Sequence, residues 1–323
     1  DLYIPELEKI AHTVHSTDGT CKIMAQLWHN ENAGPSGISW SGGGSIPSLT
    51  VDQIQDRISK FSEAIRRVRD AGFDGTELNA HYTYFLSSFL SPITNKRTDD
   101  YGGSLENRVR IVKEIVEQAR AEVGDDFPII IKVNCNDSND PNVQSEDGTN
   151  IDNFHLLAAE LEKAGVDAIE LSGLALVRKD ITADEESYFS DYAENLDVSI
   201  PVISTGGNRS LDQLEEILKK NKVDFFGLAR PLIREPHLPK RWLEGDTAKS
   251  TCISCNGCMG GNSPLQCVWT VGIGHHSFSS LRVYPNPVED ILFIGVPEGL
   301  KGGFEVVVTK LNGKEVIRTH GYI

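Results

Sequence analysis

Two near-copies of one octapeptide constrain what this chain can fold into. AGFDGTEL (71–78) and AGVDAIEL (164–171) each follow an amphipathic segment and open with Ala-Gly. Glycine adopts the left-handed backbone conformation that ends many helices, and a short apolar run follows it in both copies. Each copy therefore predicts a helix that passes through a glycine into a strand. A chain that repeats this step builds parallel βα units.

Capping residues and apolar periodicity extend the same pattern along the chain. Thr50-Val-Asp-Gln53 is a capping box, and Ser104 begins a second amphipathic helix. A third helix is predicted from about Asp152 to Gly165, and a weaker one over 184–197. The six predicted strands are 22–27, 75–78, 128–134, 167–172, 201–205 and 223–228. This alternation predicts an α/β chain of parallel units, two strands short of a closed (β/α)8 barrel.

The last part of the sequence has a different character. Residues 281–323 contain YPNP, two short β runs and a Leu-Asn-Gly turn, with no helical period. They predict a small all-β module after a barrel domain over 1–270. The segment resembles the carboxy-terminal sorting modules of the type IX secretion system. The alternatives are an unrelated accessory β module or an artefactual fusion.

Composition excludes several classes of function. The 323 residues include 47 acidic and 31 basic side chains, and this net charge of -16 disfavours nucleic-acid binding. No apolar stretch is long enough to span a membrane, so no membrane span is predicted. Six cysteines in a chain of this length do not form the dense pattern of a small disulfide scaffold.

One long stretch carries a family resemblance. FLSPITNKRTDDYGGSLENR (89–108), with QLWH (26–29) and ARPLIREP (229–236), resembles the flavin-dependent old yellow enzyme family, the NADH:flavin oxidoreductases. The resemblance covers about residues 20–270. It implies a TIM (β/α)8-type barrel that binds FMN and takes electrons from NAD(P)H. It also implies that the two strands absent here are the family's first two, which precede the QLWH strand.

The predicted cofactor residues lie at strand ends. The loops 205–209 and 227–230 are glycine-containing turns of the kind that cradle a phosphate in βα barrels, and the resemblance assigns them to the FMN phosphate. It also places Lys132 and Gln26 against the flavin ring. The alternative for Lys132 is an ion pair with a core carboxylate, Glu77 or Glu170. The full predicted set is Gln26, Lys132, Gly206, Gly207, Ala229 and Arg230.

The predicted substrate residues depart from the family pattern. Alignment back from FLSP puts Tyr84 on the family's proton-donating tyrosine, Tyr82 on its second His/Asn and Asn79 on its first His. Asn79 and Tyr82 both retain a hydrogen-bond donor, so a pair that anchors an electron-withdrawing oxygen is still chemically feasible. His81 lies between them and would enter the site after a one-residue shift. Its alternative role is that of a loop or core histidine.

Four cysteines cluster near the end of the barrel region, at Cys252, Cys255, Cys258 and Cys267. Four thiolates within sixteen residues have the character of a metal site. In the two-domain relatives that reduce dienoyl thioesters, a comparable run with slightly different spacing holds an iron-sulfur cluster. The options are an iron-sulfur cluster, zinc, or thiols without metal.

These patterns lead to one main hypothesis and two alternatives. The main one is an ene-reductase-like FMN oxidoreductase that acts on small, electron-poor alkenes, enones or nitro compounds. The others are an inactive barrel fragment or exported binding module, and a phosphate-binding barrel enzyme without flavin. The barrel predicts a cytoplasmic protein, whereas the tail predicts export through the secretion machinery to the cell surface or beyond. A homo-oligomer is compatible with either location.

Overall fold

The fold is built on one parallel sheet. The computed structural model describes residues 2–18, 20–29, 49–140, 142–174, 178–220, 222–259 and 267, together with the backbone of four later strands. Six strands pair in parallel in chain order. They are β1 (Met24–Leu27), β2 (Gly75–Ala80), β3 (Ile129–Asn134), β4 (Ile169–Ser172), β5 (Val202–Thr205) and β6 (Phe225–Gly227). The six predicted strands are thereby confirmed.

Helices connect the strands and cover one face of the sheet. The capping box at Thr50 and the cap at Ser104 form as predicted. The second helix packs on the fourth, and the buried residues of both belong to a single apolar core. The helices are α1 (Ile4–Asp18), α2 (Val51–Asp70), α3 (Phe85–Leu90), α4 (Leu105–Val123), α5 (Phe154–Lys163), α6 (Leu211–Lys220), α7 (Arg230–Arg234) and α8 (Leu238–Leu243).

An aspartate joins neighbouring strands at three places along the amino edge of the sheet. Asp74 accepts a hydrogen bond from the backbone N–H of Ile23 at 2.9 Å, and its own N–H donates to the Ile23 carbonyl. Asp167 makes the same two contacts with Ile129, and the carboxylate and N–H of Asp224 do so with Val202. The repeated AGxD sequence thus has a structural basis, because its aspartate fixes the start of the preceding strand.

The glycines of the repeat adopt the predicted conformation, whereas one predicted helix is absent. Gly72 and Gly165 have φ of +79° and +88°, as helix-ending glycines do. The helix predicted over 184–197 is wrong, since the structure has turns there and one short 3-10 helix (Ser190–Ala193). Ser187 has φ of +54°, which no α-helix tolerates, and its hydroxyl donates to Asn208.

The tail has strands of the predicted kind. β7 (Arg282–Tyr284) pairs with β8 (Phe293–Gly295), and β9 (Gly303–Thr309) pairs with β10 (Glu315–Tyr322), both antiparallel. The remaining residues of 281–323 lie outside the described part of the chain. The small all-β module, its division from a 1–270 domain and its role in sorting stay predictions. Among the described residues, no helix has the length and apolarity that crossing a membrane requires.

Candidate active site at the carboxyl ends of the strands

Polar side chains from four adjacent strands form one row on the sheet. Gln26 is the cross-strand neighbour of Glu77, and Lys132 is the neighbour of both Asn79 and Glu170. The Gln26 amide nitrogen donates to Glu77, and its carbonyl oxygen accepts from the Asn79 amide at 3.1 Å. Side chains two residues apart on a strand share a face, so β1 to β4 present these groups together.

Lys132 is held by an ion pair within this row. Its Nζ lies 2.6 Å from Glu170 Oε1, and both side chains are largely buried. The alternative interpretation of Lys132 as the partner of a core carboxylate is therefore observed. This pairing leaves two of the three ammonium N–H bonds for other acceptors. Lys132 remains a candidate for contact with a flavin.

The two carboxyl groups of the row titrate differently. Burial, followed by the hydrogen bond and negative charge of Glu170, raises the pKa of Glu77 to about 8. Burial also acts to raise the pKa of Glu170, but the hydrogen bond from Glu77 and the charge of Lys132 bring it below its ordinary value. These causes favour the proton on Glu77 and the negative charge on Glu170.

Tyr84 lies among three other aromatic rings just past β1 and β2. Its ring centroid is 5.1 Å from Trp28, 5.6 Å from His81 and 5.7 Å from Tyr82, with the rings inclined as aromatic pairs prefer. Its phenol oxygen makes no hydrogen bond to any residue in the described part of the chain. The hydroxyl is thus free to serve a ligand.

Tyr82 is held in an unfavourable conformation. Its φ of +54° lies in the left-handed region, where a bulky residue is rare. Asn134, at the end of β3, clamps it with two hydrogen bonds. The Asn134 carbonyl oxygen accepts from Tyr82 N–H at 2.8 Å, and the Asn134 amide donates to the Tyr82 carbonyl at 2.9 Å. Strain of this kind concentrates at functional sites.

The structure brings His81 and Asn79 into the same region. His81 Nδ1 is 3.3 Å from the Ser172 hydroxyl, and Asn79 Oδ1 accepts from the backbone N–H of His81 at 3.3 Å. Burial, then the charge of Lys132, lowers the pKa of His81 to about 3. The imidazole is therefore neutral at physiological pH. The side chains of all four predicted substrate residues, Asn79, His81, Tyr82 and Tyr84, lie at this end of β2.

The two predicted phosphate loops lie side by side. Thr205 pairs with Gly227, and the Asn208 amide donates to carbonyls on both strands, those of Ser204 and Gly227. A Cβ on Gly227 would lie 1.9 Å from Thr205 Oγ1, so only glycine fits there. A loop that requires glycine at this close approach suits an anion held by peptide N–H groups.

The glycine pair of the first loop packs against an aromatic ring. Gly206 and Gly207 have φ of +152° and +75°, and a Cβ on either would fall within 3 Å of the Tyr188 ring. The Arg178 guanidinium lies over the same ring, 4.7 Å from the centroid of Tyr188. The glycines are therefore required by packing as well as by backbone conformation.

Arg230 makes hydrogen bonds to two neighbouring loops. Its Nη1 donates to the carbonyls of Arg178 and Ser254 and to the Asn256 side chain. The guanidinium thus anchors the cysteine loop. The adjacent residue, Ala229, is exposed and precedes α7. A phosphate at this loop would meet the backbone N–H groups of 227–230, and the predicted phosphate contacts of Ala229 and Arg230 stay predictions.

The four clustered cysteines line one small cavity of about 20 Å³ next to Arg230 and Arg234. None of the six cysteines forms a disulfide. Burial, and the neighbouring Cys252 and Cys267, raise the pKa of Cys258. No group of three or more His, Cys, Asp or Glu in the described part of the chain has the arrangement of a metal site. The predicted metal site at Cys252, Cys255, Cys258 and Cys267 stays a prediction.

The fold and the site define a parallel βα protein with polar and aromatic side chains gathered at the carboxyl ends of its strands, and sequence comparison shows its family. The profile of the NADH:flavin oxidoreductase / NADH oxidase family matches residues 1–248. The chain belongs to this family. FMN and an NAD(P)H donor are the cofactors that the family implies, and the row from Gln26 to Lys132 and the glycine loops suit such a group.

Relatives of this chain cover a range of oxidoreductases. It is 34% identical to a metal reductase of Desulforamulus reducens, over 98% of this chain and 49% of the relative. It is 31% identical to an NADH oxidase of Thermoanaerobacter brockii, over 98% of this chain and 51% of the relative. The chain thus spans about half the length of these two relatives. The fold is similar to that of an old yellow enzyme homologue from Zymomonas mobilis. The TM-score is 0.56 and the identity 22%, over 76% of this chain and 73% of that structure.

Four residues of the site did not emerge as site residues from the sequence. Trp28 stacks beside Tyr84, Asn134 clamps Tyr82, Ser172 contacts His81, and Glu77 holds Gln26. Each follows or lies in a strand that was predicted. The available signal was their position at the carboxyl ends of parallel strands, where ligands bind.

Proposed function

We propose that this chain is an FMN-dependent NAD(P)H oxidoreductase of the ene-reductase type, which reduces an electron-poor alkene, enone or nitro compound. The observation that carries the proposal is the joint placement of a flavin-compatible row, Gln26 to Lys132, and an unengaged phenol, Tyr84, at one edge of the sheet. Membership of the NADH:flavin oxidoreductase family supports FMN as the cofactor. Family membership alone does not define the substrate class.

Gln26 and Lys132 would hold the flavin ring, and the loops 205–207 and 227–230 would hold the phosphate. When bound, FMN supplies a carrier that accepts hydride from NAD(P)H and gives it to an acceptor. Gln26 has a second amide N–H beyond the one given to Glu77, so it can donate to a ring acceptor. Lys132 provides positive charge in a largely buried environment, where it favours negative charge on a bound ligand.

Tyr84 would provide the proton. Reduction of a C=C bond adds one hydride and one proton, and the phenol O–H delivers the proton to the carbon next to the activating group. Solvent then restores the proton, because Tyr84 is only partly buried. Asn79, Tyr82 and the neutral His81 would donate hydrogen bonds to the substrate oxygen and thereby polarise the double bond.

The cysteine loop is proposed as a site for one metal ion. Four cysteines line one cavity of about 20 Å³, and four thiolates are a ligand set that suits zinc. Metal analysis of the purified chain tests this, with Cys255→Ser as the variant that should lose the metal. Iron together with inorganic sulfide would identify a cluster instead.

The decisive experiment for the flavin is an absorbance titration of the purified chain with FMN. Binding should produce the visible band of protein-bound oxidised flavin, and anaerobic NAD(P)H should bleach it. Lys132→Gln should weaken binding, whereas Lys222→Gln, the same change at an exposed position, should not. A colourless chain that takes up no FMN would support the inactive-fragment alternative.

A further inference from the structure

Two carboxyl groups and one ammonium group meet on the ligand-facing side of the sheet. Glu77 on β2 is only 8% exposed, and its carboxyl contacts the Gln26 amide but no cation. Glu170 on β4 lies near enough to Glu77 to raise its pKa, and Glu170 Oε1 is 2.6 Å from Nζ of Lys132, the single ammonium group of this row. The row therefore has two acidic side chains and one basic one.

The charges of this row do not balance if both carboxyls are ionised. A buried carboxylate without a cation is costly, and retention of a proton avoids that cost. The titratable groups that face the pair from neighbouring elements are Lys132 on β3 and His81 after β2, and His81 is neutral. On β5 the neighbouring side chain is Thr205, which is uncharged. Nothing in this set supplies a second positive charge.

We propose that Glu77 and Glu170 share one proton at neutral pH and that Glu77, as the neutral acid, is the positioning residue for Gln26. One Glu77 oxygen accepts from the Gln26 amide, while the other donates its proton to Glu170. Gln26 is then fixed at both ends, since its carbonyl oxygen accepts from Asn79. Its remaining N–H is left in a single orientation for a ligand acceptor. The part that concerns FMN rests on the proposed function.

The shared proton also sets the charge of the site. With it, Lys132 and the carboxyl pair sum to zero, and without it they sum to one negative charge. Burial and Glu170 raise the pKa of Glu77 to about 8, so the change falls in a range that is accessible to experiment. Loss of the proton would place negative charge beside an anionic ligand and would free the Gln26 amide to turn.

Infrared spectroscopy of the chain without FMN tests the shared proton directly. The wild-type chain should show the C=O band of a protonated buried carboxyl that disappears as the pH is raised through about 8. Glu77→Gln should remove this band, and Glu8→Gln, the same change on the exposed face of α1, should keep it. A wild-type chain without the band at slightly acid pH, or a band of undiminished intensity in Glu77→Gln, overturns the proposal.

Glu170→Gln provides a second variant, in case Glu77→Gln folds poorly. It leaves Glu77 as the only carboxyl beside Lys132, so Glu77 should ionise and the band should again be lost. Asp137 is another buried carboxyl whose pKa is raised by burial. Asp137→Asn removes any contribution from that residue, so the band of the Glu77–Glu170 pair is the one that survives Asp137→Asn and is lost in Glu77→Gln.

The pH dependence of FMN affinity tests the positioning role. The dissociation constant of the wild-type chain should rise about tenfold per pH unit above the transition if one proton is linked to binding, while that of Glu77→Gln should stay level. A level wild-type profile, with the infrared band assigned to Glu77, would refute the positioning role. A chain that binds no FMN at any pH would refute the proposed function, and the infrared result would still decide whether the proton is shared.

Discussion

The amino and carboxyl ends of the same six strands use charge in opposite ways. At the amino ends, Asp74, Asp167 and Asp224 each accept a backbone N–H from the neighbouring strand, and Asp74 and Asp167 also pair with basic side chains. At the carboxyl ends, a single ammonium pairs with one of two buried carboxyls, and Tyr82 has a left-handed backbone. The aspartates at the amino edge therefore have hydrogen-bond partners, whereas the charges at the carboxyl edge do not balance.

This difference separates stability from chemistry within one sheet. The hydrogen bonds of the three aspartates at the amino edge fix the starts of the strands, and these carboxylates are already engaged by the protein. In the described part of the chain, the carboxyl edge has a phenol without a hydrogen-bond partner, an unbalanced carboxyl pair and a strained residue. Strain costs stability and is retained where a ligand uses it. Substitutions at the amino edge should therefore lower the free energy of unfolding, and those at the carboxyl edge should mainly lower activity.

The largest effect is expected from Tyr84→Phe. Loss of the proton donor should slow the reoxidation of reduced flavin by an enone about 10²- to 10⁴-fold, the range for a removed general acid. The rate at which NAD(P)H bleaches the flavin should not change, because that step needs no proton from Tyr84. Stopped-flow absorbance measures both steps. Equal loss in both would mean that Tyr84 supports the flavin rather than the substrate.

At the opposite edge, Asp167→Ala should lower the free energy of unfolding by about 2 kcal/mol. It removes the acceptor for Ile129 N–H and the partner of Arg120. Asp126→Ala, an exposed aspartate in the same region, is the control and should change stability little. Urea unfolding followed by circular dichroism measures both. If Asp167→Ala were as stable as the control, the role assigned to the aspartate contacts would be wrong.

Asn134→Ala examines the clamp on Tyr82. Without its two hydrogen bonds, Tyr82 should leave the left-handed region, at a cost of about 1–2 kcal/mol in unfolding free energy. The Michaelis constant for the substrate should rise more than turnover falls, because Tyr82 is proposed to hold the substrate and not to transfer protons. Asn195→Ala, an exposed change of the same kind, is the control. A loss of stability with unchanged kinetics would make the clamp purely structural.

Much of the fold was predictable from local sequence, whereas the contacts of the site were not. Helix starts at Thr50 and Ser104 and the turn at Gly72 depend on side chains within a few residues, so their patterns are visible in the sequence. The Gln26–Glu77 contact joins residues 51 positions apart, and only strand pairing brings them together.

The region after β4 also depends on tertiary contacts that the local sequence does not reveal. Residues 184–197 have helical composition, but the backbone there packs Tyr188 on the glycines of the next loop and adopts turns instead. The contacts of the Arg230 guanidinium with the cysteine loop were not visible in the sequence either, while its predicted contact with phosphate stays a prediction. Both features depend on tertiary contacts, which leave no periodic signal in the sequence.

The smallest effect concerns the acid stability that Asp74 provides. Burial acts to raise its pKa, but the hydrogen bond from Ile23 N–H and those from His15 and Lys22 outweigh it and hold the pKa well below its ordinary value. A carboxyl with a lowered pKa stabilises the fold above its unfolded-state pKa, near about 3.9, and this contribution is lost as the pH falls toward the folded-state value.

Asp74→Asn keeps an acceptor for Ile23 but removes the charge. We expect it to unfold at a lower temperature than the wild type at pH 7, by an amount that corresponds to about 1 kcal/mol, and the gap should narrow below about pH 4. Thermal unfolding across this range measures it, with Asp126→Asn as the exposed control. A gap that is constant with pH would mean that Asp74 stabilises the amino edge through shape and hydrogen bonding alone. The comparison between the two edges would then rest on hydrogen bonds rather than on charge.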